Sequence, residues 1–132
     1  MKLRLLLAFL ATVLFASAAE PATHTPAEAA KRVAAGTAVL VDCREPSEWA
    51  DSGVAEPAVL LAKSDFDGAQ KTWKPFLEKN AGKEIILYCR SGGRSGEVAN
   101  ALAKQGLKAA NIGTLRAWTK AGLPTRKVDG QK

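Results

Sequence analysis

The sequence predicts an α/β domain with a mainly parallel central sheet flanked by helices. Three observations carry that prediction. Apolar runs of strand length recur at Ala38-Val39-Leu40-Val41-Asp42, Ala58-Val59-Leu60-Leu61-Ala62 and Glu84-Ile85-Ile86-Leu87-Tyr88-Cys89. Helical stretches precede the first run, separate the second from the third and follow the third. Buried strands alternating with helices build a parallel sheet, because each crossover needs a helix-length connection.

The elements follow in order. Thr25-Pro26-Ala27-Glu28 has the capping-box pattern: Thr25 is the N-cap, Pro26 opens the helix, and Glu28 can reach back to the cap amide. This helix should run to about Ala35 and stop at Gly36. The Ala38–Asp42 strand comes next, then a polar, turn-rich stretch from Glu45 to Pro57, then the Ala58–Ala62 run. From Gly68 to Asn80, Trp73, Phe76 and Leu77 recur at helical spacing, with Pro75 either breaking the helix or starting a turn. Glu84–Cys89 is the clearest strand. After a glycine-arginine loop, Val98, Ala101, Leu102 and Gln105 occupy successive turns of a helix that Gly106 ends. Ala109 to Ile112 reads as a last strand and Leu115 to Ala121 as a last helix. Trp49, Trp73 and Trp118 read as core or pocket-wall aromatics, Trp49 lying nearest the predicted site.

The N-terminus reads as an export signal. Lys2 and Arg4 precede an uncharged apolar run from Leu5 to Phe15, and small residues follow. Cleavage is expected after Ala18 or Ala19, leaving residues 20–132 as a single domain with short flexible ends. The apolar run is short for a permanent membrane anchor. No cysteine follows the cleavage region, which argues against a lipoprotein. Export implies a periplasmic protein, or a secreted one in a cell without an outer membrane. Loss of Lys2 and Arg4 lowers the formal charge from +6 to +4. That mild excess suits small anionic substrates, and the basic residues form no dense run of the kind that binds nucleic acid. His24, the only histidine, should lie in a mobile N-terminal segment. One histidine and two cysteines make a poor metal cluster, so neither a metal nor another cofactor is implied.

In parallel sheets the ligand site lies at the carboxyl ends of the strands. Asp42, Cys43 and Arg44 close one strand and Cys89 closes another, so both cysteines fall on that edge. Cys89 is followed by Arg90-Ser91-Gly92-Gly93-Arg94-Ser95 and then a helix. Unpaired amides at the helix start, with glycines permitting unusual dihedrals, can form an anion nest around the sulfur. Such a field favours thiolate over thiol. Arg90 and Arg94 add positive charge, and Ser91 or Ser95 can donate a hydroxyl. A structural alternative makes Cys89 a small buried hydrophobe. A phosphate P-loop fits poorly, because the Gly-Lys-Ser/Thr ending is absent.

Cys89-Arg90-Ser91-Gly92-Gly93-Arg94-Ser95 resembles the active-site loop of rhodanese-family sulfurtransferases. Val41-Asp42-Cys43-Arg44-Glu45-Pro46-Ser47-Glu48-Trp49 is similar to that family's first signature. Asn111-Ile112-Gly113-Thr114-Leu115-Arg116-Ala117-Trp118, with Gly122-Leu123-Pro124, resembles its closing one. Length and signal together resemble the small single-domain periplasmic rhodaneses of the phage-shock protein E kind. The resemblance implies a rhodanese-like fold and a double displacement. Thiolate Cys89 takes the outer sulfur of thiosulfate or a similar donor as a persulfide, sulfite leaves, and cyanide or a thiol removes the sulfur. Arg90 and Arg94 would attract the donor's oxygens, the loop amides from Ser91 to Ser95 would hold the persulfide, and Asp42 and Arg44 would support the loop. Gly53-Val54-Ala55 departs from the family's usual Gly-His-Ile.

Two other classes fit parts of the pattern. A phosphatase or arsenate reductase on the same fold also needs a thiolate and an anion cradle, but its loop resembles Cys-x5-Arg, whereas Cys89 and Arg94 enclose only four residues. A persulfide carrier or thiol-redox binding module would keep the loop, and a carrier would deliver its sulfur to a protein thiol, which cyanide turnover in vitro does not distinguish. Asp-Cys-Arg at 42–44 resembles the cell-cycle dual-specificity phosphatases, whose cysteine there can pair with the catalytic one. Cys43 is therefore either a core residue or the partner in a reversible Cys43–Cys89 disulfide.

Overall fold

A computed structural model describes residues 20–129. The predicted export signal lies outside the described residues. The chain order is β1 (Ala22–Thr23), α1 (Pro26–Ala34), β2 (Ala38–Asp42), α2 (Pro46–Ser52), β3 (Val54–Ala55), β4 (Val59–Leu60), α3 (Lys63–Asp67), α4 (Trp73–Lys79), β5 (Glu84–Cys89), α5 (Gly93–Lys104), β6 (Ala109–Thr114), α6 (Leu115–Lys120) and β7 (Thr125–Arg126). Five strands form one sheet in the order β1-β6-β5-β2-β4, with every pairing parallel. β3 and β7 form a separate antiparallel pair.

Side-chain alternation along β2 and β5 divides the core into two layers. Val41, Cys43, Ile85, Leu87 and Cys89 face Trp73, Val98 and Leu102 on one side. Leu40, Ile86 and Tyr88 face Ala29, Ala110 and Trp118 on the other. Helices thus cover both faces, as the continuous apolar character of these strands requires. Trp73 and Trp118 are buried, with their indole N–H groups donated to the carbonyls of Ala62 and Pro124.

Several expectations need correction. The α1 cap is half a capping box: Thr25 Oγ1 accepts the Glu28 amide at 3.2 Å, but the Glu28 carboxylate lies 3.5 Å from His24 Nδ1. His24 is anchored, because its ring is nearly buried and its Nε2 lies 3.0 Å from Glu84 Oε2. The stretch after Glu45 is helical where turns were expected: Pro46 opens α2, and the Glu48 carboxylate accepts the Glu45 amide at 2.8 Å. The Gly68–Asn80 helix shortens to α4, with Pro75 harmless in its first turn. Its start is organised by Asp65, which accepts the amides of Lys71, Thr72 and Trp73. The strand at Ala58–Ala62 reduces to Val59–Leu60, and β6 extends two residues past Ile112.

Candidate active site

Central strand β5 ends at Cys89, and the chain turns at once into α5. That turn requires Gly92, which sits at φ +89° and where an added Cβ would meet Gly113 Cα at 3.4 Å. The turn aims the Gly92 amide at Cys89 Sγ, 3.0 Å away. Ser95 Oγ lies 3.3 Å from the same sulfur. No acidic residue occupies the first turn of α5, so its positive end is left uncancelled beside the thiol.

Cys43 contributes from the neighbouring strand. Its amide donates to the Tyr88 carbonyl at 3.2 Å, carrying the β2–β5 ladder one residue beyond the Asp42–Tyr88 pair. Both thiols are free and buried. A hydrogen bond from Cys43 is the largest influence on Cys89. Together with the Ser95 hydroxyl and the amides of Ser95 and Ser91 it outweighs burial and holds the Cys89 pKa down to about 4. The reciprocal effect pushes Cys43 far up, so Cys43 keeps its proton while Cys89 is a thiolate. That proton has a second acceptor in the Tyr88 carbonyl, 3.4 Å from Cys43 Sγ.

Asn111, on β6, holds the loop and was not singled out by sequence reasoning, although it opens the closing signature. Its Nδ2 donates to the Gly92 carbonyl at 3.1 Å, and its Oδ1 accepts from Ser95 Oγ at 2.8 Å and from the Gly113 amide at 2.9 Å. Ser95 has one proton and three acceptors in reach: Cys89 Sγ, Asn111 Oδ1 and the Gly92 carbonyl.

The remaining predicted residues separate into two groups. Asp42 and Arg44 form a buried pair, Nη2 to Oδ2 at 2.8 Å, and Arg44 also donates to Ser52 Oγ and the Gly53 carbonyl. Burial opposes the Arg44 charge, but the Asp42 bonds outweigh it and keep the guanidinium firmly protonated. Asp42 further accepts the Trp49 indole N–H at 3.1 Å. These residues fix α2 against the end of β2. Arg94 binds the α2 carboxylate of Glu48 with both terminal nitrogens. Arg90 and Ser91 are exposed. Arg90 lines an open cleft of about 670 Å³ with Arg44, Glu48, Asp51, Ser52, Leu115, Arg116 and Thr119. Cys89 is not among the residues that line that cleft. Arg116, also exposed, is a cation of this cleft that sequence reasoning passed over.

This arrangement can hold a nucleophilic sulfur anion at neutral pH without a histidine base. Known proteins share the framework. A protein of Schizosaccharomyces pombe named "Putative thiosulfate sulfurtransferase, mitochondrial" is 35% identical over 85 residues, 57% of this chain and 56% of its own length. Bacillus subtilis "Putative sulfurtransferase YtwF" is 38% identical over 80 residues, 60% of this chain and 71% of its own. The chain spans about half the length of the first curated relatives it matches, 48% for one from Synechocystis and 56% for the fission yeast protein. A Rhodopseudomonas palustris structure described as a protein of unknown function and "Possible Tyrosine Phosphatase" superposes with a TM-score of 0.63 at 26% identity, covering 81% of this chain and 84% of that one. The rhodanese-like domain matches residues 25–121, a span that takes in both strand-end cysteines and the loop between β5 and α5. The chain therefore belongs to the rhodanese-like domain family.

Proposed function

We propose that the protein is a sulfurtransferase that carries sulfane sulfur on Cys89. The observation behind this reading is the Cys89 sulfur at the start of α5, with the Gly92 amide 3.0 Å and the Ser95 hydroxyl 3.3 Å away. The thiolate attacks the outer sulfur of thiosulfate or a like donor. The donor's S–S bond breaks, sulfite leaves with the electron pair, and the Cys89 persulfide takes the anionic charge into the nest. A thiol or cyanide then removes the outer sulfur and restores the thiolate. The exposed guanidinium groups of Arg90 and Arg116 give an anionic donor its approach. The export signal supports a periplasmic setting and the small phage-shock protein E subtype.

A phosphatase reading draws on the R. palustris structure's description. It is disfavoured because only four residues separate Cys89 from Arg94, and because Arg94 is committed to Glu48 where a phosphatase would turn it on the phosphoryl oxygens.

The test is the intact mass of reduced protein after exposure to thiosulfate, with Cys89→Ser beside it. Gain of one sulfur atom by the wild type alone supports the proposal. No gain by a folded, reduced wild type, together with hydrolysis of an aryl phosphate, replaces it with the phosphatase.

A further inference from the structure

The site contains two thiols where the transfer cycle uses one. Parallel pairing of Asp42 with Tyr88, and the Cys43 amide on the Tyr88 carbonyl, put Cys43 beside Cys89 on the adjacent strand. Alternation sends both side chains to the same face, where they share one apolar cluster. Neighbouring strands run about 4.8 Å apart, within the Cα separations that disulfides span. On the opposite flank of β5, Asn111 of β6 holds Ser95 against the Cys89 sulfur. Cys89 Sγ is thus bracketed by a thiol on the β2 side and by the anion-holding groups on the β6 side.

We propose that Cys43 is a resolving thiol, which attacks Cys89 Sγ of the persulfide, expels the outer sulfur as hydrosulfide and leaves a Cys43–Cys89 disulfide. This rests on the persulfide reading above. The persulfide S–S bond breaks as the new S–S bond forms, and the Cys43 proton departs on the leaving sulfur. The sulfane sulfur gains two electrons, one from each cysteine, so no outside oxidant takes part. A low-molecular-weight dithiol then reduces the disulfide and resets the pair. The protein gains a second activity, reduction of sulfane sulfur to sulfide at the expense of thiols, which competes with delivery to an acceptor.

The electrostatics order the steps. While Cys89 is a thiolate, the hydrogen bond to it, burial and its charge keep Cys43 protonated and unreactive. Once the charge has moved to the outer sulfur among the loop amides, that restraint on Cys43 weakens in the state where it must react.

The experiment uses reduced protein freed of reductant, without oxygen, at mildly alkaline pH so that loss of the Cys43 hydrogen bond does not prevent sulfur uptake. Thiosulfate is added in slight excess, and sulfite, sulfide and intact mass are followed. The wild type is expected to release sulfite and then equimolar sulfide while its mass settles two hydrogens below the reduced chain. Cys43→Ala and Cys43→Ser, whatever sulfur they take up, are expected to keep it on Cys89 and release no sulfide. A wild type that keeps the added sulfur and yields no sulfide overturns the resolving role, whatever the variants do. Absence of sulfite from all three overturns the persulfide reading itself, and the resolving role with it.

Discussion

Arg94 and Glu48 meet in a two-point ion pair, Nη1 to Oε2 at 2.7 Å and Nη2 to Oε1 at 2.8 Å. The pair ties the first turn of α5 to α2, and Glu48 at the same time caps α2 through the Glu45 amide. The loop between β5 and α5 is therefore anchored from both sides: by Asn111 on β6 and by Glu48 on α2.

Acid should release the second anchor. The Arg94 bond is the main cause that brings the Glu48 pKa down from 4.5 to about 2. A carboxylate depressed in the folded state stabilises the fold above its unfolded pKa, and that stabilisation is lost as pH falls through the folded value. Glu48→Gln should cost about 1 kcal/mol near neutral pH, allowing for the pair's partial exposure. The gap to the wild type should close between pH 4.5 and about 2. Urea unfolding across that range checks the sign; a gap that widens in acid contradicts it.

Loss of the Cys43 thiol should raise the Cys89 pKa well above about 4, since the Cys43 bond is its largest stabilising influence. Alkylation by iodoacetamide should be nearly flat with pH around neutrality in the wild type and should climb with pH in Cys43→Ala. Parallel profiles would show that the loop alone sets the thiolate.

Asn111→Ala removes three hydrogen bonds that hold Gly92, Gly113 and Ser95. The expected cost is about 1–2 kcal/mol in stability and about tenfold in kcat for sulfur transfer. Asn111→Asp keeps the acceptor but loses the donor to Gly92, so it should recover stability only in part. Full recovery of kcat would mean that the Gly92 contact is idle.

Breaking the buried Asp42–Arg44 pair should be far more costly. Asp42→Ala leaves a buried guanidinium uncompensated and strands the Trp49 indole N–H, a loss of about 3–5 kcal/mol. Arg44→Met in the same background should restore part of that loss. Equal stability of the single and double variants would argue against stranded charge as the cause.

Gly92→Ala should cost about 1–2 kcal/mol, because an L-residue is strained at φ +89°. Its larger effect should fall on thiolate reactivity, since the Gly92 amide must keep its aim at Cys89 Sγ. The alkylation profile and the melting temperature together separate the two effects.

What the sequence reveals of this fold tracks how local each signal is. β2, β5 and α5 were legible because their apolar runs are long and flanked by glycine or a cap. Two-residue strands such as β3 and β7 carry no periodicity, since their pairing comes from chain segments some seventy residues apart. α2 was read as turn because Pro46, Ser47 and Asp51 are turn-prone types, although Glu45 and Glu48 stand at cap spacing. At the site, the cysteine and its glycines are contiguous and were visible. The commitments of Arg94 to Glu48 and of Arg44 to Ser52 and Gly53 depend on α2, and so were invisible until α2 was placed.

β5 carries Cys89 at its end and is paired along its length on both sides, with β2 and β6. Its amide protons should exchange with solvent only when the whole molecule opens, the slowest class of exchange that a domain offers. The Cys89 sulfur is thus mounted on a strand held from both sides, while Arg90 and Arg116 at the cleft are exposed to solvent. Under the proposed sulfur transfer, substitutions at those outer positions would retune which donor or acceptor is admitted without disturbing the sulfur, so that new specificities could evolve around one reaction.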